Sequence, residues 1–107
     1  MPVWSESTMD VVYYTADVAW DNQPCVVRID GGVIVVEYQN EGLVTYSGTE
    51  LAPGHFLLHS DDEDGPASAS LHITPGHLVL EGSWQVIVPG QLRRGLWKIF
   101  LQGLQAP

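Results

Sequence analysis

The chain has 107 residues, 13 acidic against four basic side chains, a formal net charge of −9 and one cysteine. That length holds one domain around one core. The charge argues against nucleic acid and anionic membrane surfaces, both of which select cations, and Cys25 alone rules out an internal disulfide.

Residues 1–8 read as an N-terminal tail, 9–102 as a single β-barrel domain and 103–107 as a C-terminal tail. From Val12 to Leu101, seven successive hairpin turns can be placed so that one face of every strand stays apolar. Strand side chains alternate with a period of two, so a single wrong register would turn a hydrophobic set outward. Asp21-Asn22-Gln23-Pro24 is expected to close the first hairpin, with Val18 near Val27 and Ala16 near Ile29. Gly31-Gly32 reads as a two-residue primed turn between Cys25–Asp30 and Val33–Gln39. Asn40-Glu41-Gly42 reads as a three-residue loop that sets Val36 against Tyr46 and Tyr38 against Val44. Ala52-Pro53-Gly54 is expected to bring Phe56 across from Gly48 and Leu58 across from Tyr46. The loop from Asp61 to Pro66 then returns Ala69 to Leu58 and Leu71 to Phe56.

Pro75-Gly76 predicts Ile73 opposite Leu78 and Leu71 opposite Leu80. The last turn, Pro89-Gly90, carries the strongest local signal. It sets Trp84 opposite Gly95 and Gly82 opposite Trp97, so that each indole covers a glycine of the neighbouring strand. The same register places Glu81 beside Lys98 and Gln85 beside Arg94 on the other face. Two independent chemistries agree on one pairing.

The expected fold is all-β: an eight-stranded antiparallel up-and-down meander closed into a small barrel, with a two-sheet β-sandwich as the alternative. Closure removes the free edges that invite aggregation. The inward face is read to hold Tyr14, Val18, Trp20, Cys25, Val27, Ile29, Ile34, Val36, Tyr38, Val44, Tyr46, Phe56, Leu58, Leu71, Ile73, Leu80, Trp84, Val86, Trp97, Ile99 and Leu101. Gly82-Ser83-Trp84 and Gly95-Leu96-Trp97 match the Gly-x-Trp pattern of lipocalins. With the strand plan, this resembles the calycin type of meander barrel, which includes lipocalins, fatty-acid-binding proteins and avidins. Lipocalins carry the motif on the first strand, whereas here it falls on the last two, and no ligand or site is transferred.

Candidate chemistry is sparse. His55 and His72 face each other across a hairpin, with His59 beside Ser68, but a zinc site needs three or four protein ligands and no third is evident. The pair reads as a polar, pH-sensitive outer face. Asp61-Asp62-Glu63-Asp64 lacks the alternating ligand spacing of a calcium loop and reads as a solvated hairpin tip. Cys25 has no inward histidine to activate it. Arg93 is the one charged residue on the inward face, placed to snorkel at the barrel mouth or to anchor a ligand's acidic group.

No metal site and no cofactor motif is read. The interior supplies neither histidine nor carboxylate, which argues against general acid–base catalysis. The leading expectation is a non-catalytic binding domain for a small apolar molecule held by Arg93, Trp84, Trp97, Tyr38 and Tyr46. The alternative is an interaction or inhibitor module with a solid core and an acidic surface for a basic partner, and a third is a barrel enzyme that templates its substrate by shape. A homodimer is expected through the outward face near His55, His72, Val79 and Phe100, with Leu57 and Leu96 adding apolar surface. The first six residues lack the basic and apolar segments of a secretory signal, and a cytoplasmic protein is expected.

Overall fold

A computed structural model describes residues 2–14, 19–62, 65–74, 76 and 78–105. Its strands are β1 (Val3–Tyr13), β2 (Ala19–Asp30), β3 (Val33–Gln39), β4 (Leu43–Ala52), β5 (His55–Ser60), β6 (Ala67–Ile73), β7 (Val79–Val88), β8 (Gln91–Phe100) and the short β9 (Leu104–Gln105). Each of β1–β7 pairs antiparallel with the next, and β1 also pairs with β8 and with β9. The meander therefore closes into a barrel rather than folding as a sandwich. Among the described residues, no helix is long and apolar enough to cross a membrane.

Turn chemistry explains most of the register. Gly31 and Gly32 have φ of 57° and 82°, as a primed turn requires, and Asp30 pairs with Val33. Gly90 has φ of 76° after Pro89, the combination of a tight type II turn. Across it, Trp84 meets Gly95, Gly82 meets Trp97 and Glu81 meets Lys98, as the sequence predicts. The β3–β4 and β5–β6 pairings also follow expectation, with Val36 on Tyr46 and Leu58 on Ala69.

Two hairpins slip by two residues. Leu58 lies opposite Gly48 rather than Tyr46, because Ala52 pairs with His55 across Pro53-Gly54 and an irregularity falls between Glu50 and Ala52. Ile73 lies opposite Leu80 rather than Leu78, and Ala69 opposite Trp84. A slip of two preserves the face of every side chain, so the inward set on these strands is unaltered.

The first strand departs further. β1 begins at Val3, so Val3–Thr8, read as tail, is strand; Val3 and Trp4 pair with Arg28 and Val27 on one side and with Gln105 and Leu104 of β9 on the other. Asp21–Pro24 is not a turn but lies inside β2. The pairing passes from Met9–Gln23 to Val11–Trp20, which leaves one extra residue on β2 at Asp21-Asn22. Asn22 takes φ of 56° there, and its N–H donates to Asp10 Oδ1 at 3.0 Å. The turn residues thus build a β-bulge. Met9 and Val11 are buried and Tyr13 packs on the core, whereas Tyr14, expected inside, is 59% exposed. Ala16 and Val18 lie outside the described residues.

The core is one cluster enclosed by the sheet, from Met9 and Ile99 through Leu71, Leu58 and Trp97 to Val27 and Val36. Inside, large side chains sit on small ones along each row of paired residues. One row runs Gly48, Leu58, Ala69, Trp84, Gly95, Tyr13; the next runs Phe56, Leu71, Gly82, Trp97, Val11, Trp20. At Gly95 a Cβ would run into the Val12 carbonyl and lie 3.1 Å from Trp84 Cζ2, so the neighbouring strand and the indole approach this closely only because that position is glycine.

Candidate functional site

The barrel brings Trp84, Trp97, Tyr38 and Tyr46 together, as the sequence predicts, and adds Tyr13 and Trp20 from β1 and β2. These rings pack on one another. Tyr46 meets Trp97 edge to face at 5.0 Å between centroids, Tyr13 meets Trp84 at 4.7 Å, and Tyr38 lies 6.1 Å from Trp97. Such pairs contribute about 0.5–1.5 kcal/mol each beyond their burial. Both indole N–H groups are satisfied: Trp84 Nε1 donates to the Leu96 carbonyl and Trp97 Nε1 to Met9 Sδ, each at 3.2 Å. The space that remains between the rings is about 20 Å³, room for about one water. Arg93 sits opposite Val86, half-buried, one inward position nearer the Pro89-Gly90 turn than Gly95, and does not line that space. Tyr13 is absent from the inward set that the sequence predicts because β1 starts at Val3, well before Val12.

Cys25 is buried, and burial alone pushes its thiol up to about 12. A thiol held neutral is no nucleophile at physiological pH. His55 and His72 stack with centroids 4.1 Å apart and planes 14° from parallel, and His55 Nε2 lies 2.7 Å from Ser70 Oγ. Stacking points the ring faces, not the nitrogen lone pairs, at each other. The described residues contain no group of three side chains able to hold a metal.

In the acidic loop, Asp62 has a structural task. Its Oδ2 accepts the Thr45 N–H at 2.9 Å, and its own N–H donates to Ser60 Oγ at 3.2 Å. This carboxylate satisfies β4 backbone where β5 ends at Ser60. Glu63 and Asp64 lie outside the described residues.

The open concavities are on the outside. The larger is a trough of about 590 Å³ across β5–β8, lined by Leu57, Ser68, Ala69, Ser70, Ser83, Trp84, Gln85, Arg94, Gly95 and Tyr14. It exists because the outward residues of β6 and β7 at its floor are serines, between the taller Leu57, Arg94 and Tyr14. No pattern in the sequence marks it, since its walls come from separate strands. A second cleft of about 460 Å³ opens where β2 and β3 part, beside the Arg28–Glu37 ion pair.

The face expected to dimerise is divided. Val79 pairs with Phe100, both half-buried, and Lys98 Nζ lies 5.4 Å from the Phe100 ring centroid. Between this pair and the Leu57–Leu96 side runs a polar row, His55, His72, Glu81, Lys98 and Asp10.

Fold and interior together describe a small closed antiparallel barrel whose described aromatic side chains leave about 20 Å³ between them. No family model, no curated protein and no solved structure matches this chain.

Proposed function

We propose that this chain is a non-catalytic interaction module that works from its outer surface. One observation carries the reading: the ring-lined lumen retains about 20 Å³, whereas ligand pockets are typically some 300–1,000 Å³. An apolar guest would have to separate Tyr13 from Trp84 or Tyr38 from Trp97 to enter. The charge distribution supports the same reading. Residues 1–52 hold eight carboxylates against Arg28 alone, whereas 53–107 hold five against Arg93, Arg94 and Lys98. The acidic half suits a basic protein partner, because complementary charge steers association. Contacts between copies through the His55–His72 face belong to the same reading; a monomer by sedimentation velocity at high concentration removes them from it.

Native mass spectrometry of freshly purified protein tests the proposal. The expected mass is that of the polypeptide. A stoichiometric apolar molecule that co-purifies and quenches the fluorescence of Trp84 and Trp97 overturns it.

A further inference from the structure

We propose that the outer trough is a binding site for a carboxylated sugar, as a free hexuronic acid or as a unit of an acidic glycan. The inference rests on the outward-working reading above and names one ligand class for that surface.

The carrying observation is electrostatic. In a chain with 13 carboxylates, none of the described residues that line the trough is acidic. They do include Arg94, whose guanidinium has no ion pair, hydrogen bond or ring contact among the described residues. The other cations are engaged: Arg28 pairs with Glu37, Lys98 lies over Phe100, and Arg93 has a partner. The row through Arg94 is His59, Ser68, Gln85, Arg94 and then Tyr14, so among the described residues no acid stands beside it on the sheet. An unpaired guanidinium offers five N–H donors in a fork that matches a carboxylate bidentately. At physiological salt the Debye length is about 8 Å, so the net negative charge elsewhere is screened while a direct Arg94 contact is not.

The rest of the trough selects a polyhydroxylated body rather than a peptide. Its floor is the hydroxyls of Ser68, Ser70 and Ser83 with the Gln85 amide, groups that donate and accept, with one capacity of Ser70 taken by His55 Nε2. Neighbouring strands stand about 4.8 Å apart, so these groups are spread across the sheet and can reach different hydroxyls of one sugar. Tyr14, 59% exposed at the rim, offers an apolar ring face with a polar tip, against which the C–H face of a sugar can lie.

Amide-resolved NMR titration of the full chain with galacturonic acid and digalacturonic acid tests this, with a neutral disaccharide and triglutamate as controls. The expected result is saturable shifts at Ser68, Ser70, Ser83, Gln85 and Arg94, at least tenfold weaker for the neutral disaccharide. Arg94→Gln should weaken binding at least tenfold with an unchanged spectrum elsewhere, and Ser83→Tyr, which fills the floor, should abolish it. Binding by both acids assigns the free sugar as sufficient; binding by the disaccharide acid alone assigns the glycan. No saturable shift, equal binding by Arg94→Gln, or triglutamate binding as tight as the sugar acid overturns the inference and leaves the outward-working reading standing. Shifts that begin at the Trp97 indole N–H, which is buried in the lumen, overturn both.

Discussion

On the inner side of β6–β8, Trp84 and Trp97 cover Gly95 and Gly82, and the space between the aromatic rings has nearly vanished. On the outer side of the same strands, Ser68, Ser70 and Ser83 leave a trough of about 590 Å³. The backbone is shared, and alternation with a period of two gives one face the large residues and the other the small ones. Close packing on the inside makes the barrel, and the lack of bulk outside leaves the trough. Volume missing from a core is costly, whereas volume missing from a surface is filled by water and available to a ligand.

The contrast predicts unequal responses to substitution. Trp97→Ala, at a residue 3% exposed, should destabilise the fold by about 3–5 kcal/mol in chemical denaturation. Gln85→Ala, facing out on the next strand, should stay within about 0.5 kcal/mol of the parent. Equal effects would break the comparison. Gly95→Ala should cost about 1–3 kcal/mol, because the new methyl group has to displace the Val12 carbonyl or Trp84.

Cys25 sharpens the comparison from the inside through pH. Its thiol is raised to about 12 in the folded chain from 9.0, so above pH 9 the unfolded chain loses a proton that the folded chain keeps. Stability from this group is therefore complete below pH 9 and is lost as pH rises towards 12. Denaturation curves at pH 8 and about pH 10 should show an extra loss of about 1–2 kcal/mol in the parent that Cys25→Ala lacks. An equal pH dependence in both would show that burial does not hold the thiol neutral.

The smallest effect belongs to the outer face. Ser83→Ala should shift the thermal midpoint negligibly, since a surface substitution away from caps and networks changes stability by about 0.5 kcal/mol or less. A large loss there would mean that the trough floor is part of the core.

The sequence by itself was enough for the meander, the face of nearly every strand from β2 to β8, and the pairing of β7 with β8. Tight turns at Gly31-Gly32 and Pro89-Gly90 and the reciprocal Trp–Gly contacts are local, and here the tertiary fold agrees with them. The two slips by two residues were invisible to a face-based reading because they turn nothing over. The error at β1 was visible in its consequences. There Met9, Val11 and Tyr13 face the core and Tyr14, expected inside, faces out, a change of face by one residue. It arose because Asp21-Asn22-Gln23-Pro24 has the composition of a turn, and only the closed sheet, which needs β1 to reach both β2 and β8, makes those residues a bulge. The candidate site divides in the same way. The tryptophans and tyrosines were legible as one inward set, but whether they lined a space or filled it depended on the diameter and stagger of the closed barrel. The trough and the unpaired Arg94 depended on tertiary structure altogether, since Leu57, Ser83, Arg94 and Tyr14 become neighbours only when four separate segments of chain are laid side by side.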